Sequence, residues 1–355
     1  MKIEFHVKKS TSSDDDSDYF PWQSWSPVKP RFPRLPIYDY CPVKENSSMV
    51  FKHKSDKLKQ KITGWCSWYA YGKNISGKKL LAEAQKIKEL KLEIEYILID
   101  GGWCEIGDWR RPYKSKFPEG LESIIDQIRK LGFKIGLWMS PFQTSKNAEL
   151  VSQHPDWLVS DNGKYVDALR LTPWDRYFSW GRYMLDFSMQ EVQEYIFKCI
   201  TIFVKKWKID LLKLDFLYTP YFNPKFKTIT QPDLQLKTLF KYIKKHFPKI
   251  YLSACGCPLE IAKGLVDSIR IGKDTTVPFL YNKPLLGGLI NKRNLKLLER
   301  KMRLLKKQDY DQYYNLDPDA FVSMPETGFS KKDIERLRNI IFGSKVVFWG
   351  DRLSN

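Results

Sequence analysis

The stretch IDLLKLDF, residues 209–216, combines the pattern of a buried strand with two charged side chains near its carboxyl end. A parallel strand in the core of an α/β protein reads as continuous apolar sequence. Lys213 and Asp215 interrupt that pattern where the strand should meet a loop. A charge buried there needs a partner or a substrate to offset its lost hydration. The stretch therefore predicts a core strand that ends in a functional site, with a structural ion pair as the alternative.

The same succession of apolar strand, loop and helix recurs along the rest of the chain. The predicted strands are 62–68, 94–100, 134–139, 209–215, 250–255, 268–274, 312–316 and 345–350. The predicted helices, which have apolar residues near the 3.6-residue period, are 78–91, 121–131, 190–207, 232–246, 257–265, 289–307 and 331–342. This alternation predicts a (β/α)8 TIM barrel. A doubly wound sheet would have fewer strands and a glycine-rich phosphate loop, which the sequence lacks.

The first 60 residues differ in composition from the predicted barrel. They contain an acidic, serine-rich stretch at 10–18 and a proline-rich aromatic stretch at 20–36. Their hydrophobic periodicity is too weak for an independent core. We therefore predict a short N-terminal extension at 1–60 and a barrel domain at 61–355.

The predicted barrel lacks its last helix. The eighth strand ends at 350, and the sequence stops at Asn355. A barrel strand with one uncovered face exposes apolar surface. We therefore expect another chain to cover this strand, which would make the protein one part of a divided, hetero-oligomeric enzyme.

Composition limits the partners and the compartment. The net charge of +19 raises nucleic acid as a partner, but the lysines are spread over helical faces such as 78–91 and no nucleic-acid-binding motif is present. No apolar stretch approaches the roughly 20 residues of a membrane span. We expect neither nucleic acid nor a membrane as partner. Six scattered cysteines without a secretory leader favour the cytoplasm.

A metal site is not expected. Cys255 and Cys257 form a CxC pair, but the chain has only four histidines and none is placed to complete a site. The sequence thus predicts neither a metal nor an organic cofactor.

Carboxylates dominate the carboxyl ends of the predicted strands, where barrel enzymes place their catalytic groups. The residues at these ends are Trp68, Asp100, Trp138, Asp215, Cys255, Asp274, Asp317 and Asp319, with Asp351 after the last strand. The absence of histidine disfavours a Ser-His-Asp hydrolase. Two carboxyl groups suit glycoside hydrolysis, in which one acts as nucleophile or base and the other donates a proton.

An ordered series of motifs carries a resemblance to a known family. The motifs are GWCSW at 64–68, IDGGW at 99–103, GDWR at 107–110, KFPEGL at 116–121, GFKIGLW at 132–138, HPDW at 154–157, LLKLDF at 211–216 and RIGKD at 270–274. Together they resemble glycoside hydrolase family 36, and the related family 27 α-galactosidases of clan D share many of them. The DPD at 317–319 is more similar to the archaeal-type branch. The resemblance covers residues 62–353.

The resemblance implies a retaining exo-α-galactosidase that works through a covalent glycosyl-enzyme. Asp215 matches the family nucleophile and Asp274 matches the acid/base. In a retaining enzyme the two carboxyl groups lie about 5 to 5.5 Å apart. Asp274 should hold a proton through a raised pKa, and Lys213 should help to keep Asp215 ionised. The alternative is that both carboxylates belong to structural salt bridges.

The resemblance also implies a set of substrate-binding residues. These are Trp68, Asp100, Trp138, Lys213, Cys255 and Arg270. Asp100 matches a residue that binds sugar hydroxyls, and Arg270 matches one that contacts the sugar near the acid/base. The two tryptophans match walls of the cleft, with packing at the barrel top as the alternative. Asp317 and Asp319 are weaker candidates, because an acidic loop is often only a turn or a helix cap.

Two departures from the family pattern bear on function. The family usually has two consecutive aspartates after the second strand, and here the second is Gly101. A site without that hydroxyl-binding group discriminates less between sugars, so galactose specificity does not follow from the resemblance. The family also has an N-terminal β-sandwich and a C-terminal β-domain. WQSWS at 22–26 resembles the end of the former, so residues 1–60 would be its remnant or a link to it.

Two alternatives to hydrolysis by the chain alone stay open. A transglycosidase similar to raffinose synthase has the same motifs and differs in whether water or a sugar accepts the glycosyl unit. The chain could also be a partial subunit, inactive until a partner chain supplies the missing helix and the C-terminal β-domain.

Overall fold

The computed structural model describes residues 60–168, 181–221 and 231–354. The predicted N-terminal extension therefore lies outside the described residues, except for residue 60. The inner sheet has eight strands in chain order. They are β1 (Ile62–Cys66), β2 (Tyr96–Ile99), β3 (Lys134–Met139), β4 (Leu211–Leu214), β5 (Tyr251–Ala254), β6 (Ser268–Arg270), β7 in two segments (Asn315–Asp317 and Ala320–Phe321) and β8 (Val346–Trp349).

The sheet closes on itself. Each strand from β1 to β6 pairs in parallel with the next, and the first segment of β7 pairs with β6. The second segment of β7 pairs with β8, which pairs with β1 through Ile62 and Val346. This confirms the (β/α)8 barrel.

Helices follow the strands and form the outer layer. They are α1 (Gly77–Glu89), α2 (Leu121–Lys130), α3 (Gln190–Thr201), α4 (Pro232–His246), α5 (Leu259–Ala262), α6 (Pro284–Lys307) and α7 (Lys331–Phe342). Helix α6 begins five residues earlier than predicted, because Pro284 stands in its first turn, where a missing N–H costs nothing. Within the described part of the chain, none of the helices has the length and apolarity needed to cross a membrane.

Two apolar layers hold the barrel together. Alternate strand residues such as Leu98, Leu211 and Phe348 point inward and fill the interior, as in other (β/α)8 barrels. Their neighbours, such as Ile97 and Ile135, pack outward against the helices. Continuous burial on both faces explains why these strands read as unbroken apolar sequence.

The outer face of β8 is covered. Val347 is fully buried and packs with Leu295 of α6 and with Leu337 and Ile341 of α7. The prediction that β8 exposes an apolar face is therefore wrong at Val347, because α6 and α7 cover this residue. The second protein chain stays a prediction.

The residues after β8 run to the outside of the barrel and bind α1. The buried carboxylate of Glu83 accepts hydrogen bonds from the backbone N–H groups of Leu353, at 3.0 Å, and Ser354, at 3.2 Å. Trp65 Nε1 donates to the carbonyl oxygen of Asp351 at 2.8 Å. The last described segment thereby fastens the end of the barrel to its beginning.

Candidate active site

The carboxyl ends of the strands bring most of the predicted site residues to one end of the barrel. Asp100 follows β2, Trp138 lies in β3, and Asp215 follows β4 directly. Two residues lie farther from the strands than predicted. Strand β1 ends at Cys66, so that Trp68 stands in a short helix, Ser67–Tyr71, and β6 ends at Arg270, so that Asp274 lies in the following loop.

An ion pair joins β2 and β4 at the base of the site. Lys213 Nζ donates to Asp100 Oδ2 at 2.7 Å, and both side chains are nearly buried. Burial would lower the pKa of Lys213, but the neighbouring carboxylate of Asp100 raises it well above its ordinary value. The Cys66 thiol donates to the same oxygen of Asp100 at 3.5 Å. Lys213 is therefore positively charged at neutral pH, and its charge lies beside Asp100 near the carboxyl end of β4.

Asp215 is held by donors on both of its oxygens. Trp138 Nε1 donates to Oδ2 at 3.0 Å, and the backbone N–H of Phe216 donates to Oδ1 at 2.6 Å. Phe216 has φ of +54°, a left-handed conformation that a bulky residue adopts only when its surroundings impose it. The sharp turn after β4 thus fixes the orientation of this carboxylate.

Cys255 approaches Asp215 from β5. Its thiol makes a hydrogen bond with Asp215, and burial, followed by the charge of that carboxylate, raises the pKa of the thiol. The thiol is thus neutral at physiological pH and adds a third polar contact to the carboxylate.

Trp138 serves Asp215 as a hydrogen-bond donor and is itself only 5% exposed. Its ring packs against Trp109, with centroids 5.9 Å apart, and against Phe216 at 6.4 Å. The predicted role of Trp138 as a cleft wall stays a prediction. Trp68 is partly buried and packs on the apolar interior of the barrel, which fits the packing alternative equally well.

Asp274 stands in the mouth of the barrel with 52% of its side chain exposed. Reduced hydration among the surrounding residues raises the pKa of Asp274 to about 6, while the positive charge of Arg270 opposes the shift. Arg270 Nη2 lies 3.3 Å from Asp274 Oδ1. The negative charges of Asp319 and Asp215 contribute to the raised pKa. Asp274 can therefore hold a proton close to neutral pH and still reach a ligand.

Arg270 is almost fully buried between Asp274 and Asp319. Its Nη2 lies 2.5 Å from Asp319 Oδ2 and also donates to the carbonyl oxygen of Lys273 at 2.8 Å. Asp317 accepts a hydrogen bond from the backbone N–H of Asp319 at 2.8 Å, and burial raises the pKa of Asp317. Asp319 thus contacts the site through Arg270, whereas Asp317 supports the turn that carries Asp319.

Three contributors to the site escaped the sequence reasoning. Tyr69 and Thr275 donate hydrogen bonds to Asp319. Arg182 is buried, donates to Gln143 Oε1 at 2.7 Å and lies over the ring of Phe216 at 4.6 Å. Thr275 follows the RIGKD motif directly, so its position was a usable signal, whereas Arg182 begins a short antiparallel strand, Arg182–Met184, in a stretch that carries no motif.

Asp351 is separate from the site. Its Oδ1 accepts from the backbone N–H groups of Ser323 at 2.7 Å and Met324 at 3.2 Å. Burial raises the pKa of Asp351, and these hydrogen bonds oppose the shift. This carboxylate ties the loop after β7 to the end of β8 and has a structural role.

Comparison with known proteins places the chain in a family. Residues 50–262, more than half of the chain, match the family model described as Melibiase. Among curated relatives, alpha-galactosidase Mel36A of Lactobacillus acidophilus is 31% identical over 157 residues, which are 42% of this chain and 20% of the relative. Alpha-galactosidase AgaA of Geobacillus stearothermophilus is 26% identical over 207 residues, which are 53% of this chain and 26% of the relative. The chain thus spans about a quarter or less of these relatives.

Solved structures share the architecture. The alpha-galactosidase TtGalA of Thermus thermophilus, in complex with stachyose, has 25% identity and a TM-score of 0.67 over 82% of this chain and 61% of that chain. The GH36 alpha-galactosidase AgaA of Geobacillus stearothermophilus has 20% identity and a TM-score of 0.55, over 82% of this chain and 39% of that one. The resemblance to glycoside hydrolase family 36 is confirmed, and the chain belongs to the Melibiase family.

Proposed function

We propose that this chain is the catalytic barrel of a retaining exo-α-glycosidase that hydrolyses terminal α-galactosides. The observation that carries the proposal is the pairing of two unlike carboxyl groups at one barrel mouth. Asp215 is fixed by donors on both oxygens, and Asp274 is exposed with its pKa raised to about 6. One nucleophile and one proton donor are what a retaining glycosidase requires.

In the first step, an Asp215 oxygen attacks the anomeric carbon as the bond to the leaving oxygen breaks. Asp274 gives its proton to that oxygen, so that a neutral alcohol departs and a glycosyl ester of Asp215 remains. In the second step, Asp274 takes a proton from water, whose oxygen attacks the same carbon and releases Asp215. Two inversions leave the product in the α configuration.

The ion pair at the base of the site would bind the sugar. Lys213 is charged and can donate hydrogen bonds to hydroxyl groups, while Asp100 can accept them. Arg270 lies beside the proton donor and would contact the sugar there. The ligands of related structures support the substrate class, since TtGalA was solved with p-nitrophenyl α-galactopyranoside and with stachyose, and a variant of AgaA with raffinose.

The acceptor, the compartment and any partner belong to the same proposal. We favour water over a sugar as acceptor, and a raffinose-synthase-like transfer would appear as longer oligosaccharides in the product mixture. Free thiols at all five cysteines that the structure describes support a reducing, cytoplasmic environment. A divided enzyme would be recognised by activity that depends on a second chain.

Hydrolysis of p-nitrophenyl α-galactoside, compared with the α-glucoside, tests the proposal directly. We expect faster release from the galactoside and an α-configured first product in proton NMR spectra recorded before mutarotation. A β-configured first product would overturn the retaining mechanism. Inactivity on both substrates, with and without proteins that co-purify with the chain, would overturn the proposed hydrolysis.

Gly101 offers a test of sugar specificity. A Cβ at this position would meet the Trp138 ring at 3.7 Å, an ordinary contact, so a side chain fits there. We expect Gly101→Asp to raise the preference for galactoside over glucoside by about tenfold, because a charged hydrogen bond to a substrate hydroxyl is regained. The ratio of the two kcat/KM values measures it. Gly101→Ala fills the same space without a hydroxyl-binding group, and an equal effect of both variants would contradict the explanation.

A further inference from the structure

Asp319 gathers three hydrogen bonds and one ion pair on a single oxygen. Its Oδ2 lies 2.5 Å from Arg270 Nη2 and accepts hydrogen bonds from the backbone N–H of Thr275 at 2.7 Å and from the Thr275 hydroxyl at 2.9 Å. The hydroxyl of Tyr69 donates the third hydrogen bond. Arg270 stands four residues before Asp274, and Thr275 follows it directly. Asp319 therefore holds the loop of Asp274 from both sides.

The backbone at Asp319 is bent in order to make these contacts. Asp319 has φ of +92°, a conformation that residues with a side chain rarely adopt, and it lies between the two segments of β7. Its N–H donates to Asp317 Oδ1, which supports the bend. Such strain persists only where the surrounding structure imposes it, and it is concentrated at functional sites.

Asp319 cannot serve as the proton donor itself. Only 6% of its side chain is exposed, against 52% for Asp274. Its Oδ2 is occupied by Tyr69, Arg270 and Thr275. Any influence of Asp319 on chemistry must therefore act through its neighbours.

We propose that Asp319 is a positioning residue that orients Asp274, by fixing Arg270 and Thr275, and that balances the charge of Arg270. This rests on the proposed role of Asp274 as acid/base. With Asp319 present, the guanidinium of Arg270 contacts two carboxylates, and the negative charge of Asp319 offsets part of the positive potential that Arg270 creates at Asp274. Without Asp319, the whole positive charge of Arg270 acts on Asp274.

The expected effect on Asp274 has a definite sign. The charged and titratable groups that face it are Arg270 and Tyr281 of its own segment, Lys213 and Asp215 of β4, Asp319 of β7 and Tyr69 after β1. Removing the charge of Asp319 takes away a repulsion and leaves the attraction of Arg270 uncompensated, which lowers the pKa of Asp274 from its value of about 6. The protonated acid is then lost at a lower pH.

Asp319→Asn tests this proposal. The basic limb of the kcat/KM profile should move to lower pH by about one unit. The loss of kcat should be larger for a substrate with an alkyl leaving group than for the p-nitrophenyl substrate, whose leaving group needs little protonation. A loss that is equal for both substrates, with an unmoved basic limb, would overturn the proposal.

Asp351→Asn is the matched control, because it also removes a carboxylate that is partly buried and binds neighbouring backbone and hydroxyl groups after a barrel strand. It should lower the melting temperature and leave the pH profile in place. Asp319→Ser, a smaller neutral variant, repeats the test without the amide of Asn. If both Asp319 variants fail to fold while Asp351→Asn folds, the role of Asp319 is structural and the proposal is overturned.

Carboxyl 13C NMR separates this inference from the proposed function. The signal of Asp274, assigned with Asp274→Asn, can be titrated without any substrate. A lower pKa of Asp274 in Asp319→Asn supports the charge balance even if the wild-type chain hydrolyses no galactoside. An unchanged pKa overturns it even if the wild-type chain is fully active.

Discussion

Asp215→Ala is expected to abolish turnover of α-galactosides, with a loss in kcat of about 10⁴-fold or more, since no other group can form the glycosyl ester. The carboxylate lies at the end of β4, where Trp138 Nε1 and the Phe216 N–H point at its two oxygens. Truncation to alanine removes the nucleophile and leaves both donors facing a small space. The fold should survive, because these two donors are neutral and the removal of Asp215 takes no partner from them that carries an opposite charge.

Azide distinguishes loss of the nucleophile from general damage. The two donors and Lys213 make the vacated space attractive to a small anion, which can attack the anomeric carbon from the side of the lost carboxylate. We expect azide to restore part of the activity on p-nitrophenyl α-galactoside and to yield the β-galactosyl azide. Near-wild-type activity without azide would refute the assignment.

Asp210→Ala provides the matched control for this variant. Asp210 lies on the same segment, immediately before β4, and accepts hydrogen bonds from Arg129 and from the Ile135 N–H. It lies at the opposite end of the strand from Asp215. Its removal should therefore reduce thermal stability and leave turnover intact. Asp215→Ala should instead abolish turnover and leave thermal stability nearly unchanged.

Asp274→Ala is expected to reduce kcat/KM about 10³-fold for substrates with an alkyl or sugar leaving group, because the departing oxygen must then leave without a proton. The loss should be much smaller for p-nitrophenyl α-galactoside. The wild-type kcat/KM requires protonated Asp274, so it should fall as the pH rises above about 6, and the variant should lack this limb. The pH profiles of both proteins measure this directly.

The configuration of the azide product again identifies the role. In Asp274→Ala the glycosyl ester with Asp215 still forms, and azide then displaces Asp215 to give the α-galactosyl azide. The two variants should thus yield opposite anomers from one substrate. An equal loss on both kinds of leaving group, or a β-azide from Asp274→Ala, would show that Asp274 is not the acid/base.

The barrel was predictable because its strands are buried on both faces and therefore stand out as apolar runs. The ends of two strands were harder to predict. The sixth strand was predicted at 268–274, but β6 ends at Arg270, where its ion pairs begin. Strand β7 was predicted at 312–316 and lies later, in two segments, because pairing with β6 and β8 decides its position and the local sequence does not.

The site residues that stand at the carboxyl ends of strands could be predicted from the sequence. Asp215 and Asp274 were among the carboxylates at the predicted strand ends, and the resemblance to family 36 singled them out as the catalytic pair. The importance of Asp319 could not be predicted from the sequence, because it depends on a positive φ and on a contact with Tyr69, 250 positions away in the chain. The raised pKa of Asp274 likewise depends on burial and on charged groups of three strands, β4, β6 and β7, whose proximity exists only in the folded barrel.

The closure of the sheet between β1 and β8 has a consequence for how the chain folds. Trp65 and Asp351, which meet at this seam, are separated by 286 positions. During synthesis on a ribosome, β1 emerges early and must keep one hydrogen-bonding edge unpaired until β8 follows. Contacts of such long range slow folding, since a large loop entropy must be overcome before they form. Until β8 pairs with β1, the seam therefore leaves an open sheet edge that can associate with other strands.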